Sequence, residues 1–423
     1  MSGSTLLARK DFGSISTAPP RMPIFLLYGG VFYNSVLAIV NAHVAQFGQG
    51  VVMGAEALIL VAAVAYLSRR LEAMREHILL IGAPVLVYTL LFIWVSVANE
   101  SFYLKSLRDI FIIFIFYLLG TQCSSGQLIR AFRLITLVTI AVLLVEGFAV
   151  ELYAGIFKPA LYYANTRGIE KAAVDSTGLF RNAFVFEGRF SYGLFGQRRL
   201  SSIFLEQVSL ANYAIVLSIF VMTFWTRLGA WDKSLFVGAI AIMIMSTSSR
   251  MGTFMCLLMP LGYVIFPFLP RYSFLFVMPL VLIGSFLFFY NPYAPVRLAA
   301  DDFNGRVEHT VTMLAAMDLL DLLAGNIGQM DQAPDSGYAY FVYSQTIFGL
   351  IYFWYFLATI FPSHTDVEKR FAMGASLFIS TSLLVAASIF TTKVSAPLSL
   401  VAGYLASECQ RNEALRLARE GSY

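Results

Sequence analysis

Ile78-Leu-Leu-Ile-Gly-Ala-Pro-Val-Leu-Val-Tyr-Thr-Leu-Leu-Phe-Ile-Trp-Val-Ser-Val-Ala98 contains no charged residue. A helix needs about 20 residues to cross the hydrocarbon of a bilayer, and this run has that length. Its apolar character is continuous, whereas a barrel strand would alternate apolar and polar residues, and an open sheet edge cannot be satisfied in lipid. Comparable runs recur from Met22 to Ser407, about twelve in all. Three of them, Ile110–Cys123, Ser234–Thr247 and Val394–Ser407, fall short of a full crossing and would have to borrow neighbours or be partly re-entrant.

Composition agrees with this reading. Hydrophobic residues make up 58% of the chain and charged residues 13%, too little polar surface to keep 423 residues dissolved in water. Mean hydropathy is +0.73. The expected fold class is therefore an all-α polytopic membrane protein. Two polar stretches interrupt the runs, at 151–203 and 291–338. They divide the chain into a Ser-, Thr- and Pro-rich tail (1–21), N-terminal membrane helices (22–150), a first loop (151–203), central helices (204–290), a second loop (291–338), C-terminal helices (339–407) and a charged tail (408–423) expected to form a short surface helix.

Lysine and arginine set the orientation. With the N-terminus inside, sixteen fall in cytoplasmic segments and only Lys105, Arg108, Arg250 and Lys393 in short outer ones. Both termini are then expected to be cytoplasmic and both long loops outside. The net charge of +4 is a topology signal and gives no support to a nucleic-acid partner. No small-residue cleavage site follows the first apolar run, so no cleavable signal peptide is expected. Cys123, Cys256 and Cys409 lie away from the outer loops, where no disulfide framework is expected. The four histidines have no metal-ligand spacing. Neither a phosphate-cradling glycine loop nor a nucleophile-elbow serine is present. Reactive groups concentrate at one surface, unlike the midplane sites of transporters built from repeated halves.

Four groups could carry chemistry there. Arg198 and Arg199 precede a span that opens with Glu206; guanidinium forks bind phosphate oxygens bidentately, although an ordinary contact with anionic lipid would explain them equally. Ser246-Thr-Ser-Ser-Arg250 places an arginine where positive charge is disfavoured, so it needs an anionic or carbonyl partner. Asn304-Gly-Arg306 falls near the start of a helix expected to run to about Leu323, whose free N–H groups would help hold a phosphate. The plainer alternative is that Arg306 pairs with a nearby acid, of which Asp301, Asp302, Glu308, Asp318, Asp321, Asp331 and Asp335 are at hand. Asp335-Ser-Gly-Tyr338 precedes the next span; Asp335 could be an N-cap or a general base, with Glu206 its rival as base. Glu56 and Glu146 sit inside apolar runs near their outer ends and are functional candidates or inter-helix partners. Aromatics crowd the first loop, among them Tyr162, Tyr163, Phe180, Phe184, Phe186, Phe190, Tyr192 and Phe195. Such rings stack on sugars or anchor the interface.

At Arg199-Leu-Ser-Ser-Ile-Phe-Leu-Glu206, Thr247-Ser-Ser-Arg250, Gly305-Arg306 and Asp335-Ser-Gly-Tyr338, the chain resembles the Wzy-type polysaccharide polymerase and O-antigen ligase superfamily, over roughly Arg198 to Gly403. The resemblance implies an inverting glycosyltransferase of the GT-C kind at the periplasmic face of the bacterial inner membrane. Its donor and acceptor would be undecaprenyl-diphosphate-linked glycans, with no nucleotide sugar, metal or other cofactor. By matching position, Arg199, Arg250 and Arg306, with Arg198 a substitute for Arg199, would hold the diphosphate. Ligases of the superfamily carry a histidine near the position of Asp335; this chain has none there, and His309 stands too early in the loop. That departure favours a polymerase, similar to exopolysaccharide polymerases of the xanthan and gellan type, working beside chain-length-regulating or export proteins. The alternatives are an O-antigen or protein O-glycosylating ligase, and a lipid-linked glycan flippase without chemistry.

The orientation has a direct check. In a background with the three native cysteines replaced by serine, Ser191→Cys should react with a membrane-impermeant maleimide applied to intact spheroplasts. Gly229→Cys should react only after permeabilisation; the reverse pattern would invert the topology.

Overall fold

A computed structural model describes residues 20–168, 178–180, 183–185, 190–293, 303–333 and 335–420. Arg9, Lys10, Phe186, Asp301, Asp302 and Pro334 lie outside the described residues, as do the side chains of Asp331, Arg416 and Arg419. Among the described residues the chain is helical, with a single bridge between Phe184 and Arg198 as its only β-type pairing.

The helices follow the apolar runs: α1 (Met22–His43), α2 (Gln49–Ser68), α3 (Arg75–Ala98), α4 (Leu104–Gly120) and α5 (Ser125–Phe148). In the first polar stretch come two short helices, α6 (Val150–Phe157) and α7 (Pro159–Arg167). The central group is α8 (Gln207–Phe224), α9 (Ala230–Thr247), α10 (Arg250–Ile265) and α11 (Val277–Phe289). The second polar stretch holds α12 (Phe303–Ala316) and α13 (Leu319–Ala324), followed by α14 (Gly337–Ile360), α15 (Asp366–Leu383) and α16 (Thr392–Glu420). Among the described residues, eight candidate spans, built on α1, α2, α3, α5, α8, α9, α10 and α14, are long and apolar enough to cross a membrane. This is an all-α polytopic membrane protein.

Three expectations shift. α4 begins upstream of Ile110 and so carries Lys105, Arg108 and Asp109 on its first turns. The helix expected from Arg306 to about Leu323 is two helices: it stops at Ala316, and Asp318 restarts it by accepting the Asp321 N–H at 2.7 Å. The charged tail is not a separate surface helix. α16 runs through Glu408 to Glu420, because Ala, Leu, Arg and Glu favour helix and no glycine or proline intervenes there.

α8 forms the centre of the bundle, with every residue except Val208 buried. α2 is peripheral and buries only Glu56, Ala63 and Leu67. In lipid, helices associate through close packing, so small residues gather where backbones meet. α4 and α16 meet in this way: a Cβ on Gly120 would lie 2.1 Å from the Leu400 carbonyl oxygen, and one on Gly403 would lie 1.8 Å from that of Tyr117.

The bundle has two polar ends. At one, Arg133 pairs with Asp232 at 2.7 Å, Arg227 with Glu408 at 2.9 Å, and Lys369 reaches the Pro267 carbonyl. The other end gathers both polar stretches. There Trp94 donates to the Leu323 carbonyl at 2.9 Å, and the Ile327 N–H to Asn99 Oδ1 at 3.1 Å. The Asn326 N–H takes the Tyr343 carbonyl at 3.0 Å, just before α14 departs from helical dihedrals at Thr346 (φ 64°). The second stretch is thereby fastened to α3 and α14.

Gly403→Val should collapse the α4–α16 contact, since the new side chain meets backbone that cannot yield, and overpacking costs about 1–3 kcal/mol or more. The expected readout is loss of monodisperse protein in detergent. Gly54→Val, which has open space around it, should leave the elution profile and melting temperature unchanged.

Candidate anion-binding face

The last carbonyls of a helix lack intrahelical partners and carry the negative end of its dipole, so cations are drawn to them. Three of the four candidate arginines are used in this way. Arg198 donates to the Gly147 carbonyl at 3.1 Å and the Glu146 carbonyl at 3.5 Å, at the end of α5. Arg199 Nε donates to the Thr247 carbonyl at 2.8 Å, closing α9. Arg306 donates to the Val385 carbonyl at 3.2 Å, just beyond α15. A guanidinium has five N–H donors in a rigid fork, so such bonds fix its position and direction.

Arg250 is different. It opens α10 behind the N-cap Ser249, whose hydroxyl accepts from the Gly252 N–H at 3.1 Å. Its side chain is exposed and stands 5.5 Å from the centre of the Phe190 ring. Among the described residues it has neither a carboxylate nor a carbonyl partner. Phe190 in turn packs edge-on to Tyr192 at 4.7 Å, and the Tyr192 hydroxyl donates to Thr253 at 2.9 Å. Of the loop aromatics, Tyr162 and Tyr163 are core residues of α7, buried and remote from this role.

The carboxylates divide as clearly. Asp335 lies 3.0 Å from the Arg306 guanidinium, and both are part-exposed. It is not the cap of α14; Ser336 is, accepting from the Ala339 N–H at 3.2 Å. Glu206 stands just ahead of α8, bound by Arg167 from α7, by Ser209 at 2.9 Å and by Lys393 from α16 at 3.5 Å. Burial alone would raise the Glu206 carboxyl, but Arg167 and Lys393 outweigh it and hold it at about 2. So weak a base is poorly matched to taking a proton from a sugar hydroxyl near neutral pH. Glu206 is an electrostatic anchor.

Glu146 is fully enclosed and accepts from the Ser202 N–H at 2.6 Å and the Ser201 N–H at 2.9 Å, while Tyr153 donates to the Ser202 carbonyl at 2.9 Å. It clamps the turn in which Ser202 and Leu205 adopt positive φ, 51° and 59°. Glu56 is paired with Arg108 and accepts from Tyr33, and Arg108 also holds Asp109. Glu56 thus joins three helices, α1, α2 and α4, while Glu146 anchors the turn that leads into α8. Tyr338 is buried and donates to the Ser380 carbonyl at 3.1 Å; His309 is buried in α12. No cluster of three or more His, Cys, Asp or Glu that could hold a metal ion occurs among the described residues.

The structure therefore brings Arg306 and Asp335 together and places Glu206 with two cations, Arg167 and Lys393, that the sequence reading did not single out. The argument made for Arg250, that an isolated outer cation needs a partner, applied equally to Arg108 and Lys393. Arg108 pairs with the buried Glu56 and Asp109 and Lys393 with the part-exposed Glu206, whereas Arg250 has no carboxylate partner among the described residues.

Because the folded Glu206 carboxyl titrates near 2 and an unfolded one near about 4.3, its contribution is complete above the unfolded value and is lost as pH falls toward 2. Melting temperature in detergent should therefore fall more steeply between about pH 5 and pH 3 for the native protein than for Glu206→Gln. Parallel curves would remove Glu206 from the anchor role.

No family model matches this chain, and neither a curated protein nor a solved structure matches it.

Proposed function

We propose that this protein is an inverting glycosyltransferase that polymerises undecaprenyl-diphosphate-linked oligosaccharide units into an exopolysaccharide or O-antigen at the periplasmic face of the bacterial inner membrane. Counting α4, α11, α15 and α16 with the eight longer apolar helices makes twelve crossings, a GT-C-like arrangement with both termini cytoplasmic and both polar stretches outside. The observation that carries the reading is the ion pair of Arg306 with Asp335, at the same end of the bundle as Arg250, which has no carboxylate partner among the described residues. An anion site beside a carboxylate, at headgroup height, suits a lipid diphosphate and the hydroxyl that displaces it.

The chemistry follows from those groups. An acceptor hydroxyl attacks the anomeric carbon from the side opposite the diphosphate; the new C–O bond forms as the bond to the phosphate oxygen breaks, inverting the centre. The hydroxyl proton passes to Asp335, and the lipid diphosphate leaves with its negative charge stabilised by Arg250 and Arg306. Fixed cations aimed at a leaving anion stabilise the transition state more than the ground state. Arg198 and Arg199, anchored on helix ends, add positive charge to the same face.

A ligase would use the same donor and anion site with a different acceptor; the absence of a histidine near the sequence position of Asp335 favours the polymerase. A flippase would need basic groups along a central path, whereas the four candidate arginines stand at one end of the bundle.

Arg250→Ala and Arg306→Ala should each lower polymer yield in cells by about 10²–10³-fold, with single repeat units accumulating on the lipid carrier. Long polymer at native levels from both variants, at native expression, would contradict the proposal.

A further inference from the structure

We infer that Asp335 occupies the place of the substrate's diphosphate on Arg306, so that binding of the lipid diphosphate itself releases the carboxylate for proton transfer. This rests on the reading of Arg306 as an anion ligand, and it adds an order of events to that reading.

The geometry has three parts. Arg306 is fixed from behind, because one of its nitrogens donates to the Val385 carbonyl at 3.2 Å at the end of α15. In front, the same terminal nitrogen meets Asp335 Oδ1 at 3.0 Å. The two side chains retain 24% and 34% of their exposure, so the contact is open to solvent and to a ligand. An open pair of this kind contributes about 0–1 kcal/mol. A diphosphate offers more negative charge and more acceptor oxygens than one carboxylate, and guanidinium binds such oxygens in a bidentate fork. Exchange of Asp335 for diphosphate therefore costs little and gains a stronger contact. Arg306 does not have to move far, since the Val385 carbonyl still holds it.

Asp335 is free to shift. It precedes the cap residue Ser336 and lies outside α14, so its departure breaks no helix bond; Ser336 continues to hold the Ala339 N–H. Once released, the carboxylate oxygens lie beside the bound diphosphate, close to the carbon that the acceptor hydroxyl attacks. Before the donor is bound, Oδ1 is engaged by Arg306. This order would protect the site from taking up a proton, or activating water, before a donor is present.

The inference separates affinity from turnover at one residue. Purified protein in neutral-lipid nanodiscs would be titrated with undecaprenyl diphosphate, with inorganic diphosphate and phosphatidylglycerol as comparison ligands. Asp335→Asn keeps the shape but removes the competing charge. It should bind undecaprenyl diphosphate about 3- to 10-fold more tightly than the native protein while losing polymerisation in cells. Arg306→Ala should weaken the same binding at least tenfold. Unchanged or weaker binding by Asp335→Asn, with Arg306→Ala still defective, would overturn the placeholder role and leave the anion site standing. Unchanged binding in both variants would overturn the anion site as well. If phosphatidylglycerol binds as tightly as undecaprenyl diphosphate and is equally sensitive to Arg306, the pair is a headgroup contact and the inference fails.

Discussion

A lysine ammonium buried at the first turn of α16 is the constraint on which the polar end of this bundle depends. Lys393 retains 2% side-chain exposure, donates to the Phe204 carbonyl at 2.9 Å and pairs with Glu206. An ammonium in such a place is tolerated only if it is paired and hydrogen-bonded, since stripping it of water costs several kcal/mol. It therefore fixes where Glu206 must stand, and Glu206 fixes Arg167. Through these contacts α16, the start of α8 and the end of α7 are held as one unit. The short segment leading from α15 to Lys393 extends the same constraint to the second polar stretch. Its carbonyls at Leu384 and Val385 accept from Thr310 and Arg306, and Ser388 accepts from Asn212 of α8.

Cations at this end serve two purposes at once. Arg198, Arg199 and Arg306 satisfy carbonyls that helix ends leave without partners, which in lipid would be expensive. The same bonds give each guanidinium a fixed direction without the loss of side-chain entropy that ligand binding would otherwise demand. On the proposed function, a diphosphate would meet guanidinium groups whose directions are already set. Arg250 is the exception: it stands exposed at the start of α10 against an aromatic ring, with no acid partner among the described residues.

Much of the fold was legible because hydropathy is a local property. Continuous apolar runs announced the helices, and the bias of lysine and arginine gave the expectation that 151–203 and 291–338 share a side. The helix limits were less legible: α4 starts among charged residues because Arg108 and Asp109 neutralise each other and Glu56 completes the set. The site was legible one residue at a time. Arg306 and Asp335 were each conspicuous, but two helices intervene between them and nothing local signals their contact. Glu206 resembled a base by position, yet its chemistry is set by Arg167 and Lys393, which come from distant parts of the chain. Only the burden of an outer cation within an apolar environment could have pointed to Lys393.

The central claim is that this face acts on a lipid diphosphate and does not merely contact one. Purified protein reconstituted in proteoliposomes with its undecaprenyl-diphosphate-linked repeat unit, in the presence of EDTA and without nucleotide, tests it most directly. The account predicts lipid-linked glycans of increasing length and one undecaprenyl diphosphate released for each unit added. Transfer of unaltered repeat units across the bilayer, with no lengthening and no released diphosphate, would contradict it.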